Sequence, residues 1–238
     1  MKIALIGYGK MGRAIERIAI ARGHEIILKI DLDNASDLNP ENLSKADVGI
    51  EFTGPESAAS NLLKCADSGI PVVCGSTGWL EQYQAVTKAF EKNGSAFLYA
   101  SNFSIGVNIF FELNKKLASL MAPHPEYAIE MREIHHTQKK DAPSGTAITL
   151  AEQVMTEIPS LKSWVNRPGQ NPAELPIISD RIDPAAGTHS VKYHSAVDDI
   201  EIIHTAHSRE GFASGAVLAA EFLNGKKGIF NMRDVLQF

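Results

Sequence analysis

Lys2-Ile3-Ala4-Leu5-Ile6 runs directly into Gly7-Tyr8-Gly9-Lys10-Met11-Gly12, and few folds accommodate that junction. An apolar strand feeding a G-x-G-x-x-G turn and then a helical pattern reads as a phosphate-binding βα unit. Gly7 permits the tight turn, Gly9 removes a side chain that would block a pyrophosphate, and Gly12 lets helix and strand pack closely. The helix start then meets phosphate with free N–H groups. Asp31 ends a second apolar run, 19 residues beyond Gly12, where a carboxylate accepts from an adenosine ribose hydroxyl. That acid repels a 2′-phosphate, whereas Lys10 in the loop could pair with one. The balance favours NADH, with tolerance for NADPH.

The same rhythm continues. Candidate strands at Lys2–Ile6, Ile26–Ile30, Val48–Phe52, Val72–Cys74 and Ala96–Tyr99 alternate with helical stretches at Met11–Ala21, Glu56–Asp67 and Trp79–Glu91. Short apolar runs alternating with helices predict a Rossmann-type, doubly wound parallel sheet. Ligands of such sheets lie beyond the carboxyl ends of the strands. Gly75-Ser76-Thr77 and Ala100-Ser101-Asn102-Phe103 close two successive strands and become candidates for the nicotinamide end of the coenzyme.

From Ser104 the period changes. Ile109, Phe110, Leu113, Leu117, Leu120 and Met121 form a stripe that predicts an amphipathic helix over Ser104–Met121, capped by Ser104. Tyr127, Ile129 and Met131 then alternate with polar neighbours, which predicts a strand over Glu126–Ile134. Adjacent histidines on a regular strand would face opposite sides, so the strand is expected to loosen at His135. A helix follows over Ser144–Ile158. Pro159–Gly187 is rich in Pro, Asn and Gly, has no clear period, and reads as a long excursion. Strands at Ser190–Ala196 and Ile200–His207 flank a hairpin turn at Val197-Asp198-Asp199. The stripe Phe212, Ala216, Ala219, Ala220, Leu223 makes a last helix. The expectation is an α/β chain with two domains. Residues 1–103 bind the dinucleotide, with 214–238 returning to them, and residues 104–213 form an α/β substrate domain with a mixed sheet.

Charge narrows the partners. Lys plus Arg number 23 and Asp plus Glu 28, a net −5, so no general basic field draws nucleic acid. No run approaches the ~20 apolar residues that span a bilayer. Cys65 and Cys74, two thiols in a chain too large to need staples, fit a reducing compartment, taken as the cytoplasm.

The densest polar cluster is Glu133-Ile134-His135-His136-Thr137-Gln138-Lys139-Lys140-Asp141-Ala142-Pro143-Ser144-Gly145-Thr146-Ala147. It sits where a strand gives way to a helix, whose first turn exposes amides suited to an anion, above all a carboxylate. His135, His136 and Lys139 lie within reach of that turn and can donate protons or bind negative charge. An acidic substrate follows. A core histidine, a solvated Lys139-Lys140 pair and a simple Ser144 cap are the bland alternatives. Zinc is disfavoured because no ligand-spaced Cys or third His stands near His135 and His136, and no metal is expected.

This cluster resembles the signature of the dihydrodipicolinate reductase family, properly the 4-hydroxy-tetrahydrodipicolinate reductases of lysine and diaminopimelate synthesis. The likeness runs through Gly75-Ser76-Thr77-Gly78, Ala100 to Asn108, Arg209 with Phe212 to Ala216, and Met232-Arg233-Asp234-Val235-Leu236. It implies that His135 donates or accepts a proton, Lys139 is a second proton donor, and His136, Gly145 and Thr146 bind substrate. It further implies that Gly7 to Gly12 (with Tyr8, Lys10 and Met11), Asp31, Gly75 to Thr77 and Ala100 to Phe103 hold NAD(P)H. A homotetramer associating through its second-domain sheets, and domains that close over their ligands, are implied too. The glycine loop is one residue shorter than the family's usual pattern, and Leu32 follows Asp31 where many members carry a basic residue; both bear on coenzyme choice. Two rivals stand beside this reading. A semialdehyde-type dehydrogenase would need Cys74 as nucleophile, and an NADH-sensing protein would bind coenzyme without turnover.

Overall fold

Ile3, Ala4, Leu5 and Ile6 are all buried, so β1 (Lys2–Ile6) must be covered on both faces. In the computed structural model, which describes residues 1–208 and 210–238, helices supply that cover. The nucleotide-type unit comprises β1, α1 (Lys10–Ala21), β2 (Glu25–Ile30), α2 (Pro40–Leu43), β3 (Val48–Glu51), α3 (Pro55–Asp67), β4 (Val72–Cys74), α4 (Tyr83–Lys92) and β5 (Ala96–Tyr99). The second unit follows with α5 (Ile105–Met121), β6 (Ala128–His135), α6 (Gly145–Glu157), β7 (Ser163–Val165), β8 (Glu174–Arg181), β9 (Gly187–His194) and β10 (Asp199–Ala206). The chain ends with α7 (Glu210–Leu223), β11 (Gly228–Phe230) and α8 (Met232–Leu236). Arg209, part of the family resemblance, lies outside the described residues.

The chain divides into two compact units, Met1–Ile105 with Glu210–Phe238, and Gly106–Arg209. In the first, a wholly parallel sheet has the order β11-β5-β4-β3-β1-β2. Ile3 and Leu5 face a layer that includes Ile15, Ala19, Ala216 and Ala220, whereas Ala4 and Ile6 face Leu62, Val86 and Phe90. The direction of winding reverses between β1 and β3, and ligand crevices open at such a switch point. The return to this unit begins at Glu210 rather than at residue 214, because residues 210–213 are the first turn of α7. That helix lies so close to the loop after β5 that a Cβ on Gly215 would stand 1.7 Å from the Phe103 carbonyl oxygen.

The second unit holds a mixed sheet, β10-β9-β6-β8-β7, in which β6 and β9 are antiparallel and β6 and β8 parallel. One face packs on α5 and α6 around Met131, Leu150, Ile177 and Val191. The buried Asn114 of α5 ties the two helices by donating to the Leu150 carbonyl at 3.0 Å.

Four further expectations change. Residues 159–187 carry two strands, β7 and β8, and β8 is an inner strand of the sheet. Pro176 masks it in sequence, yet this proline stands opposite Val165 of the short edge strand, just before the pairing with β6 begins at Ile177. The sixth parallel strand, β11, is only three residues long. The strand β6 does not loosen at His135 but runs regularly through it, opposite Arg181. Met131, Glu133 and His135 therefore share the inner face. On α5, Phe110 and Met121 are buried, whereas Ile109, Leu113 and Leu120 are exposed.

Candidate active site

At the switch point the three glycines of the loop have three different causes. Gly7 has φ +95°, and a Cβ there would meet the Phe52 carbonyl oxygen at 2.1 Å. A Cβ on Gly12 would stand 2.3 Å from the Gly7 oxygen, so helix and turn could not close. Gly9, the N-cap of α1, has nothing within 4 Å of a Cβ position, which leaves open space at the helix start. This empty cradle fits a diphosphate. Gly7, Gly9 and Asp31 line a cavity of about 400 Å³ together with Phe52, Thr53 and Gly54. Asp31 also caps the short 3-10 turn that follows β2, its Oδ1 accepting from Leu32 N at 2.9 Å. Tyr8 instead donates to Glu16, with Lys29 5.0 Å from its ring centroid. Lys29 is paired with Glu16 at 2.5 Å, while Lys10 is exposed.

The neighbouring loops are less uniform. Ser76 does not face outward: it is buried and donates to Glu51 Oε1 at 3.0 Å. Gly75 is a glycine because a Cβ would strike the Phe52 ring at 2.2 Å. Phe52 thus touches the turn at Gly7, the turn at Gly75 and, at 5.6 Å between centroids, Phe103. Asn102 accepts from Ser104 N at 2.9 Å and so organises its own turn. Ala100 N donates to the Cys74 carbonyl at 3.2 Å, Thr77 and Ser101 are exposed, and Phe103 belongs to the core. Met11 is half-buried against that core.

Cys74 is fully buried and its thiol donates to Glu51 Oε2 at 3.0 Å. Burial, and then the Glu51 charge, push its pKa far above the usual thiol range. A thiol held protonated and out of reach makes no nucleophile, which removes the basis of the semialdehyde-type rival.

In the second unit Glu133 organises the polar loop. This carboxylate is completely buried at the inner face of β6. Its Oε1 accepts from Arg181 Nη2 at 3.1 Å, and its Oε2 from Ser144 N at 3.1 Å. His135 Nδ1 lies 3.3 Å from the same Oε2, although off the line of a well-formed hydrogen bond. Burial alone would raise the Glu133 pKa; contacts from His135, Ser144, Ser179 and Arg181 outweigh it and hold the carboxyl well below its usual range. Arg181 also donates to the carbonyls of Lys139 at 3.3 Å and Asp141 at 2.6 Å. One guanidinium therefore fixes the loop from both ends.

That frame presents the expected residues. Lys139 Nζ lies 2.8 Å from each oxygen of Asp141. Partial burial would raise the Asp141 carboxyl, but the Lys139 cation outweighs it and holds it below the usual range. His136 is half-buried, and the next residue, Thr137, donates from N and Oγ1 to Asp183, which holds that carboxyl below its usual range. Ser144 caps α6 by accepting from Ala147 N at 3.2 Å. Gly145 then heads the helix at an exposed position with nothing within 4 Å of a Cβ position, and Thr146 follows half-buried. His135 is only 8% exposed, and a Cβ on Gly187 would stand 3.1 Å from its Nε2.

Sequence spacing offers no third histidine beside His135, but the fold supplies one: the His189 and His135 rings are 5.1 Å apart, edge to face. Glu133, His135 and His189 place ligand atoms within 4.8 Å of one another, a grouping able to hold a metal ion. Arg181 and Ser144 N already occupy both Glu133 oxygens, and a guanidinium at 3.1 Å repels a second cation. The trio is therefore better described as a buried support for the loop, in which Glu133 holds Arg181 and Ser144 N and His189 meets the Ser144 hydroxyl. His189 Nε2 lies 3.0 Å from Ser144 Oγ, and burial pushes the His189 pKa down to about 4.

Glu133, Arg181, His189, Phe52, Thr53 and Glu51 were not singled out from sequence as site residues. Glu133 continues the period-two alternation through Met131, and a carboxylate on a buried face signals a partner. Arg181 and His189 gave no such signal, since their strands were placed in, or shortened by, the excursion.

A strand–glycine–helix cradle in one unit and a lysine, histidine and helix-start constellation in the other define a two-domain oxidoreductase that uses a nicotinamide coenzyme. The family model described as dihydrodipicolinate reductase, N-terminus, matches residues 1–103, and that for the C-terminus matches residues 106–236. The chain belongs to the dihydrodipicolinate reductase family. It is 50% identical over 237 residues to the 4-hydroxy-tetrahydrodipicolinate reductase of Christiangramia forsetii, covering 99% of this chain and 98% of the relative. The enzyme of the same name from Methanosarcina mazei is 35% identical, covering 98% and 88%. A solved dihydrodipicolinate reductase from Paenisporosarcina sp. TG-14, bound to dipicolinate, superposes with a TM-score of 0.77 at 26% identity, covering 97% of each chain.

Proposed function

We propose that this chain reduces 4-hydroxy-tetrahydrodipicolinate, after loss of its 4-hydroxyl as water, to tetrahydrodipicolinate in lysine and diaminopimelate synthesis, with NADH as the favoured coenzyme. The observation that carries this reading is the loop at 133–147. There a buried Glu133 holds an ammonium-bearing turn and an exposed helix start on one frame, and full-length likeness to the reductases supports it. A bound reduced nicotinamide supplies the hydride. Gly145 and Thr146 amides, with His136, hold substrate carboxylate. Lys139 Nζ carries the proton that neutralises the electron-rich product, and His135, less exposed, is the other group that donates or accepts a proton. Gly187 keeps a side chain away from His135 Nε2, where a Cβ would stand at 3.1 Å. The His–Lys loop has no use in a protein that only senses NADH.

NADH is favoured because Asp31 lines the coenzyme cavity, and the nearby Lys29 is neutralised by Glu16. The exposed Lys10 accounts for tolerance of NADPH. Self-association, to a homotetramer, is supported by the exposed Ile109, Leu113, Leu120, Ile200 and Ile203 of the second unit. Two free, buried thiols support a cytoplasmic setting, and no helix among the described residues is long and apolar enough to cross a membrane.

The test is a coupled assay in which substrate is generated in place and coenzyme absorbance is followed in the near ultraviolet. Consumption that depends on the dicarboxylate, with higher kcat/KM for NADH, is expected. Flat absorbance removes the reaction, and a large NADPH advantage removes the coenzyme assignment. His136→Ala is expected to raise the substrate KM about tenfold, the loss of one charge-assisted contact, with kcat largely kept. Collapse of kcat at an unchanged KM would show that His136 acts in chemistry instead.

A further inference from the structure

Glu51 is the one completely buried carboxylate of the described residues in the first unit, and the mechanism above leaves it without a task. It stands at the end of β3, beside the switch point. Its Oε1 accepts from Thr53 N at 3.0 Å, from Ser76 Oγ at 3.0 Å and from the Thr53 hydroxyl; its Oε2 accepts from the Cys74 thiol at 3.0 Å. Every one of these donors is neutral, and no ion pair to Glu51 occurs among the described residues. A carboxylate is an expensive group to bury for packing alone.

Its partners explain the expense. Thr53 belongs to the turn after β3, which lines the coenzyme cavity with Gly7 and Gly9. Ser76 belongs to the turn after β4. The two turns are further joined by Thr53 N donating to Ser76 Oγ at 2.8 Å and by Gly75 N donating to the Glu51 carbonyl at 2.9 Å. Without an acceptor at Oε1, the Thr53 hydroxyl and the Ser76 hydroxyl would both lose their shared anchor.

We propose that Glu51 is a positioning residue for the coenzyme: it locks the Thr53–Gly54 turn to the Gly75–Ser76–Thr77 turn, and so sets the floor on which the nicotinamide end lies. The inference rests on the coenzyme reading above. The relevant atom is Oε1, which accepts three of the four hydrogen bonds, so an amide oxygen in its place keeps most of the function. The Cys74 thiol at Oε2 fills space and needs only a weak partner.

The experiment is NADH binding, followed by coenzyme fluorescence, together with steady-state kinetics of Glu51→Leu and Glu51→Gln. Glu51→Leu is expected to weaken NADH binding about tenfold or more while the substrate KM stays within about twofold, since unsatisfied buried donors relax the turns. Glu51→Gln is expected to recover most of that loss. Folded Glu51→Leu that binds NADH like the unmodified protein overturns the proposal, as does Glu51→Gln that is as impaired as Glu51→Leu. If Glu51→Leu does not fold, Ser76→Ala, which cuts the tie but leaves Glu51 with Thr53 and Cys74, decides by the same titration. A several-fold weaker NADH affinity supports the proposal, and unchanged affinity overturns it. Because binding is read without turnover, a protein that binds NADH but reduces no cyclic dicarboxylate would defeat the functional reading and leave this inference standing on its own result.

Discussion

Lys139→Ala is expected to lower kcat by ~10²–10⁴, the usual contribution of a positioned general acid, with NADH affinity unchanged. The ammonium stands on a turn closed by Lys139 N donating to the His136 carbonyl at 3.1 Å, and Arg181 grips the Lys139 carbonyl from β8. The backbone therefore keeps its shape when the side chain is truncated, and a loss of rate reports the ammonium itself. Two functions of that ammonium can be separated. Lys139→Arg keeps the positive charge but replaces a group that yields its proton with a guanidinium that does not. The substrate KM should then recover toward the unmodified value while kcat stays low. Asp141 sharpens the contrast, because in Lys139→Ala its carboxylate loses its cation and opposes an anionic substrate. Steady-state kinetics and a fluorescence titration with NADH read all of these quantities, and an unaltered kcat in Lys139→Ala would take the proton away from this residue.

Much of this was legible in the sequence, for identifiable reasons. The glycine loop could be read because each glycine answers a separate steric demand, and β1 and β4 because strands buried on both faces are continuous apolar runs. The hidden parts follow an equally physical pattern. Strand β8 buries only Leu175 and Ile177 of its eight residues, and carries Pro176 between them, so its period-two signal is brief. Strand β11 has three half-buried residues and no periodicity to detect. In the site, residue types were visible but their directions were not. Ser76 sits in a loop that suggested outward contact, yet its hydroxyl turns inward to a carboxylate 25 positions earlier. Arg181 reaches Glu133 across 48 positions, a pairing set by parallel strand register alone. Ile109, Leu113 and Leu120 show the same limit on α5, since a stripe marks an apolar face without saying whether this chain or another copy covers it.

Glu133→Leu should cost about 3–5 kcal/mol of stability at neutral pH, the range found when one partner of a buried ion pair is removed. Two donors lose their acceptor at once, Arg181, which is largely buried, and Ser144 N at the start of α6, and the His135 ring loses a neighbouring negative charge at 3.3 Å. The pH dependence identifies the cause. Glu133 has its pKa depressed in the folded chain, so it contributes stability that is fully present above its unfolded value near 4.5 and is lost as pH falls toward the lower folded value. His189 acts over a different window. Its pKa falls from 6.5 to about 4 on folding, so the unfolded chain binds the extra proton, and stability is lost as pH drops between those two values. Each proton taken up on unfolding gives a slope of roughly 1.4 kcal/mol per pH unit. Urea midpoints measured across this range should therefore decline for the unmodified protein from about pH 6.5 downward, with the decline continuing below pH 4.5. Glu133→Leu should start lower and keep the decline that belongs to His189, whose folded pKa falls further once the Glu133 charge that raises it is gone, while its loss below pH 4.5 should be shallower than that of the unmodified protein. A midpoint unchanged at neutral pH, or an acid limb as steep as that of the unmodified protein, would mean that the carboxylate does not hold the loop and that Arg181 organises it alone.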